Sequence, residues 1–233
     1  MRWLPLLVAV FTTTLVVSNI IAVKLVALGP LTLPAAVVLF PVAYIFGDVL
    51  TEVYGYARAR QAIWIGFGCN LLAVTAIVAA GRLPAAPVWT AGLDSAAAAG
   101  DAYRAILGFT PRLLAASFVA YLAGEFLNAF VMARLKVATA GRYLWLRTVA
   151  STLLGQGVDS AIFITLAFAG VLPPGALGAA IVSQWLFKSA YEAAATPLTY
   201  LVVNKLKRSE GIDVFDAETR FGPLRFSAEE VSE

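Results

Sequence analysis

Six stretches of this chain are mostly apolar and roughly 20 residues long, and seven ionisable side chains lie within them or at their edges. They are Lys24, Asp48, Glu52, Glu125, Asp159, Lys188 and Glu192. An apolar run of about 20 residues spans a bilayer as a helix. A charge at the bilayer centre costs at least about 2.5–3.5 kcal/mol. The chain must therefore fold as a bundle of membrane helices with an interior that shelters charge. A passive anchor has no use for such an interior, so the default reading is a transport or ligand pathway between helices.

The composition agrees. Hydrophobic residues make up 61% of the chain and charged residues 13%, against about 45–50% and 25% in soluble domains. The expected fold class is an all-α integral membrane protein, one transmembrane domain over residues 1–206 followed by a polar tail, 207–233. The chain has no histidine, which removes Ser-His-Asp and Cys-His catalysis and the usual zinc motifs. Its one cysteine, Cys69, lies in an apolar run and reads as a small buried hydrophobe. No metal site, cofactor or nucleic-acid partner is expected. The basic residues are split among short loops, where they report topology.

Six helices are predicted: Trp3 to Leu28, Ala35 to Tyr54, Gln61 to Ala80, Pro111 to Leu135, Tyr143 to Val171, and Gly175 to Leu206. Thr110 before Pro111 reads as an N-cap with proline at the first helical position. Leu172-Pro173-Pro174-Gly175 reads as a tight turn. With the N-terminus in the cytoplasm, the inside segments carry twelve lysines and arginines and the outside segments three. That asymmetry predicts cytoplasmic termini and an even number of spans. The N-terminus resembles a signal peptide, but its apolar run continues past Ser18-Asn19 and is long enough to span. Residues 81–109 form an outside segment in which SAAAAGDAYRAIL suits a short helix. Lys24, near the outer end of the first helix, is expected to snorkel to the interface. The tail, basic first and acidic last, is expected to be solvated and is assigned no chemistry.

Residues spaced i, i+3, i+4 and i+7 share a helix face. The second helix carries Tyr44, Asp48, Thr51 and Glu52 in this way. The fourth carries Ser117, Tyr121, Glu125 and Asn128, the fifth Thr152, Gln156, Asp159 and Ser160, the sixth Gln184, Lys188, Tyr191 and Glu192. Thr12 and Asn19 are sparser on the first helix, and Asn70 stands near Gly66 on the third. Lipid would punish each stripe, so they face a shared interior. Interhelical hydrogen bonding that only holds the bundle together is the blander explanation. It serves well for the hydroxyls, less well for carboxylates that outnumber the two membrane lysines. Lys188 before Glu192 is the weaker order for a pair within one helix, so Lys188 is expected to reach a carboxylate on another helix. GDVLTE (47–52), GEFLNA (124–129) and GQGVDS (155–160) share glycine followed by polar groups, a faint trace of a three-plus-three repeat. Glycine there lets backbones approach closely.

The segment FPVAYIFGDVLTEVYGYARARQAIWIGF (40–67) resembles the signature of the queuosine-precursor transporter family, also called the vitamin-uptake-transporter family. SFVAYLAGEFLNAFVMARLK (117–136), STLLGQGVDSAIFITLAF (151–168), FKSAYEAAATPLTYLVVNKLKR (187–208) and the tail EGIDVFDAETRFGPLRF (210–226) are similar to it in the same order, while residues 81–109 match nothing. The resemblance implies six helices in the cytoplasmic membrane of a prokaryote. It implies import of the deazapurines 7-cyano-7-deazaguanine and 7-aminomethyl-7-deazaguanine, precursors of a modified tRNA base. A guanine-like ring presents two adjacent N–H donors that one carboxylate accepts together; Asp48, Glu52, Glu125 or Asp159 suits that role. Asn128, Gln156 or Lys188 suits the carbonyl oxygen, and Tyr44, Tyr121, Phe163 or Phe187 suits stacking. A second carboxylate would favour the aminomethyl cation. The substrate-binding set expected is thus Tyr44, Asp48, Thr51, Glu52, Tyr121, Glu125, Asn128, Gln156, Asp159, Lys188 and Glu192.

Other classes fit less well. A substrate-binding subunit of an ATP-driven transporter would suit six helices, but the chain has no P-loop, so a motor would have to be separate. An intramembrane enzyme would have only paired aspartates to work with, and a structural scaffold leaves the polar stripes unexplained.

Overall fold

The computed structural model describes residues 1–22, 24–28, 31–108, 111–219 and 221–224. The expected N-cap at Thr110, together with Arg220 and Arg225, lies outside them. The described residues form seven α-helices: α1 (Leu4–Ile21), α2 (Phe40–Tyr54), α3 (Tyr56–Arg82), α4 (Ala96–Leu107), α5 (Pro111–Ala138), α6 (Leu144–Phe168) and α7 (Pro174–Glu210). Four are long and apolar enough to cross a membrane: α1, α3, α5 from Leu114, and α6. Large apolar side chains such as Leu72, Leu154, Leu186 and Leu201 are exposed on the helix surfaces, as a lipid-facing belt requires.

The first helix is shorter than predicted. After Ile21 the chain leaves the helix and forms two antiparallel strands, β1 (Leu25–Leu28) and β2 (Leu31–Pro34), with Leu25 opposite Pro34. Apolar runs read alike for helix and strand; here the β-branched Val26 and Thr32 suit the strands. Lys24 stands exposed just beyond the helix. A short 3-10 turn, Ala35–Val38, then leads into α2.

α2 is 15 residues long, about 22 Å, and is buried on all sides by α1, α3, α5 and α7. Val49, Leu50, Thr51, Glu52, Val53 and Tyr54 are all at most 2% exposed. A helix enclosed by protein can carry acidic groups that lipid would not tolerate. Gly55, at φ +82°, is the single residue between α2 and α3, where the sequence suggested a loop up to Arg60. A Cβ on Gly55 would stand 2.7 Å from a side-chain carbon of Val214.

α4 is the short helix expected within residues 81–109, and Ser95 caps it by accepting from the Ala98 N–H at 3.1 Å. α5 and α6 cross closely. A Cβ on Gly124 would lie 2.8 Å from the Asp159 Cβ, and one on Gly155 would lie 2.9 Å from the Asn128 Cβ. Two of the three glycine motifs therefore meet backbone to backbone, which brings Glu125 and Asn128 against Gln156 and Asp159.

α7, 37 residues long, is long enough to span but carries the polar stripe of Lys188 and Glu192. Glu210 at its end accepts from the backbone N–H of Arg2 at 2.9 Å and lies 3.3 Å from the terminal ammonium. The N-terminus and the end of α7 thus share one face of the bundle.

The tail after Gly211 is not freely solvated. Asp216 accepts from the Tyr56 N–H with both carboxylate oxygens, at 3.1 and 3.0 Å, and so caps α3. Arg60 donates to the Gly222 carbonyl at 3.0 Å, and Trp64 to that of Pro223 at 2.7 Å. Phe221 sits edge-on to Tyr56 and Phe130, with the Arg134 guanidinium 4.7 Å from its ring centre.

Candidate functional site

A cavity of about 180 Å³ opens between α1, α2, α3, α5, α6 and α7. Each helix turns its polar stripe toward it: Asn19 from α1, Tyr44 from α2, Asn70 from α3, Ser117, Tyr121 and Glu125 from α5, Gln156 and Asp159 from α6, Gln184 and Lys188 from α7. Phe11, Leu15 and Phe163 supply apolar wall. The space suits a small ring system and falls short of the roughly 300–1,000 Å³ of sites for larger ligands.

Lys188 donates to Asp159 at 2.5 Å across the α6–α7 contact. It therefore pairs with another helix, as its order relative to Glu192 suggested. Both side chains retain some exposure, 15% and 19%, and the Tyr44 hydroxyl hydrogen-bonds the same ammonium. Tyr121 donates to the Ile63 carbonyl at 3.2 Å, which fixes its ring on the wall. The Gln156 carbonyl oxygen is buried with no hydrogen-bond partner among the described residues. The cavity thus offers a carboxylate (Glu125), a charge pair, open amides and aromatic faces.

Of the eleven expected residues, Tyr44, Tyr121, Glu125, Gln156, Asp159 and Lys188 line the cavity. Asp48, Asn128 and Glu192 lie in the packed layer behind it. Asn128 donates to one Asp48 oxygen at 2.8 Å, and Glu192 is fully buried.

Thr51 and Glu52 do not join the site. The Thr51 hydroxyl donates to the Gly47 carbonyl of its own helix at 3.0 Å. Glu52 is taken up by cations: Arg147 grips both oxygens, at 2.7 and 3.1 Å, Lys207 donates at 2.7 Å, and Lys136 lies 3.8 Å away. Lys136 and Lys207 both also bind Asp213 of the tail. This is a structural ion cluster, with Glu52, Arg147 and Lys136 at its buried centre.

The comparisons agree with that architecture. Residues 34–202 match the family described as "Putative vitamin uptake transporter". A protein named "Probable queuosine precursor transporter" from Bacillus subtilis (strain 168) is 32% identical over 196 residues, which cover 84% of this chain and 82% of the relative. The chain belongs to the vitamin uptake transporter family. No solved structure matches it. As a multi-pass membrane transporter it has a cavity enclosed by helices of both halves of the chain.

Some of the transporter's cavity residues were missing from the expected set. Asn19 and Asn70 were visible as sparse polar residues in apolar helices, and Ser117 and Gln184 as members of the polar stripes, and that signal is enough to find them. Phe11 and Leu15 carry no signal, because an apolar wall residue and a lipid-facing one look alike in sequence.

Proposed function

We propose that this transporter imports 7-deazaguanine precursors of queuosine, 7-cyano-7-deazaguanine and 7-aminomethyl-7-deazaguanine, through the cytoplasmic membrane of a prokaryote. Six helices cross: α1, α2, α3, α5, α6 and α7, with both termini inside. The shared face of the N-terminus and the end of α7 supports an even number of crossings, and the lysine and arginine asymmetry supports the orientation. α2 is short, and the 3-10 turn and strand pair that precede it extend the crossing.

The observation that carries the substrate reading is the set of groups around the cavity. Asp159 is occupied by Lys188, so Glu125 is the carboxylate left to accept the paired N–H donors of a guanine-like ring. Such a pairing rejects analogues that lack either donor, since each missing partner leaves a buried polar group unsatisfied. Lys188 donates to the ring carbonyl without leaving Asp159, because an ammonium has three donors. Tyr44, Tyr121 and Phe163 offer planar surfaces.

The test is accumulation of each precursor in cells unable to make it, with and without the transporter. Glu125→Gln and Lys188→Met, checked for insertion, are expected to abolish accumulation. Absence of accumulation by well-inserted wild-type protein would remove the substrate assignment.

A further inference from the structure

Behind the cavity lies a layer of acid that substrate binding does not use. Glu192 is 0% exposed, and neither of its carboxylate oxygens has a hydrogen-bond partner among the described residues. Asp48 is 1% exposed, with one oxygen bonded by Asn128 and the other without a partner. The groups facing Glu192 are Asp48 on α2 and Glu125 on α5. Beyond them stand Glu52 on α2, held by its own cations, and Asp159 on α6, held by Lys188. Lys188 lies one turn before Glu192 on α7 but is directed to Asp159. Among the described residues, the two carboxylates of this layer and the two on the cavity wall beside it, Glu125 and Asp159, therefore share one ammonium.

A buried carboxylate without a cation or N–H donor is stable as the neutral acid, and adjacent carboxylates do not all ionise together. The cation that such a layer takes is a single small one. The acidic groups do not converge as a metal-ion cage among the described residues, whereas one carboxylate oxygen suffices for a proton. Asn128 is independent support. It is 8% exposed, its NH₂ is committed to Asp48, and its carbonyl oxygen is buried without a partner. That leaves an acceptor ready for the O–H of a protonated acid. From the cavity, space extends toward this layer as far as Asn128. Glu125 lines both the cavity and a small space of about 10 Å³ that Gly47 and Asn128 also line, close to the room one water needs.

We propose that Glu192, with Asp48 and Asn128 beside it, is a proton-binding site that couples substrate import to a proton gradient. The proton enters through the cavity and Glu125, converts the carboxylate to the acid, and leaves to the cytoplasm as the carboxylate reforms. The proposal rests on the transport reading above, and its test separates the two.

The full-length transporter is reconstituted in lipid vesicles. Infrared difference spectra recorded while pH is stepped are expected to show a buried carboxylic acid band that E192Q removes. A wild-type protein without the band, or a band that persists in E192Q, overturns the site whatever the substrate. Glutamine has the shape of the neutral acid, so E192Q should insert; if it does not, D48N is expected to move the midpoint of the band's titration, and an unmoved midpoint overturns the site. Uptake of 7-cyano-7-deazaguanine is then measured. A gradient of one pH unit should sustain about tenfold accumulation if one proton accompanies each substrate. E192Q should lose that accumulation yet retain exchange of internal for external substrate. Exchange by wild type with no response to the gradient overturns coupling and leaves the transport reading intact. A carboxylic acid band without any exchange of this substrate supports the site and removes the substrate assignment.

Discussion

Asp48 and Glu52 stand one turn apart on the same helix, both buried, and meet opposite environments. Glu52 is held by Arg147, Lys136 and Lys207, with the tail's Asp213 closing the cluster from outside. Among the described residues Asp48 has a single amide donor and no cation. Above Glu52 the bundle is neutralised and cross-linked between α2, α5, α6 and α7. Around Asp48 it is acidic and under-bonded. Burial alone therefore does not distinguish a structural acid from a working one; the distinction lies in whether its partners are already present. A charge that is fully met holds helices together, and one left partly unmet is available to a ligand or a proton.

The sharpest way to break this comparison is to neutralise each acid in turn. Glu52→Gln leaves three cations around a neutral amide, and loss of one side of a buried ionic cluster costs about 3–5 kcal/mol. The melting temperature in detergent, followed by tryptophan fluorescence, should fall steeply. Asp48→Asn removes a carboxylate that has only an amide to lose, and should melt near wild type while losing gradient-driven uptake. Equal melting losses in the two variants would abolish the distinction.

A smaller effect should come from the crossing that brings α5 and α6 together. Gly124→Ala puts a methyl group 2.8 Å from the Asp159 Cβ and 3.1 Å from the Gly155 carbonyl. Overpacking of this kind costs about 1–3 kcal/mol. It also displaces Asp159 from Lys188, so uptake should fall along with the melting temperature. Gly68→Ala, where a Cβ meets nothing within 4 Å, should leave both unchanged.

Smaller again is the cap supplied by the tail. Asp216→Ala leaves the Tyr56 N–H without its two carboxylate oxygens, and removal of a helix cap costs about 0.5–2 kcal/mol. Faster hydrogen exchange in the first turn of α3 is the expected readout. Unchanged exchange would mean that the joint at Gly55 is held by α2 alone.

These predictions also show what was readable in advance. The polar stripes were legible because a period of 3.6 in an apolar background leaves few alternatives, and they gave eight of the cavity residues, six of them in the expected binding set. That Lys188 reaches another helix followed from the direction of a helix-surface ion pair; that its partner is Asp159 did not. What joins Glu52 was not legible, because its cations arrive from 84 to 155 residues away along the chain. The same holds for Asp216, which acts on an N–H 160 residues distant. Local pattern locates an acid but not its partners. The strands at 25–34 were missed for a different reason: a short apolar run has no period that separates helix from strand.

The weakest expected effect concerns Asp213, where the comparison can be sharpened by pH. Partial burial alone would raise its pKa, but hydrogen bonds from Lys136 and Lys207, and their charge, outweigh this and hold the carboxyl below its ordinary value. A depressed value means that the folded state favours the ionised form. The stabilisation is therefore complete above the ordinary aspartate value of about 3.9 and is lost as pH falls through the lower, folded one. Between pH 7 and pH 5 the tail should stay docked, and protease cleavage after Gly211 should not change. Below about pH 4 cleavage should quicken as Asp213 takes up its proton. Asp213→Asn should cleave faster at neutral pH and respond less to acid. If the variant instead matched wild type at pH 7, the two lysines would be committed to Glu52 alone, and the tail would be held by Asp216, Arg60 and Phe221 without any share in the ion cluster.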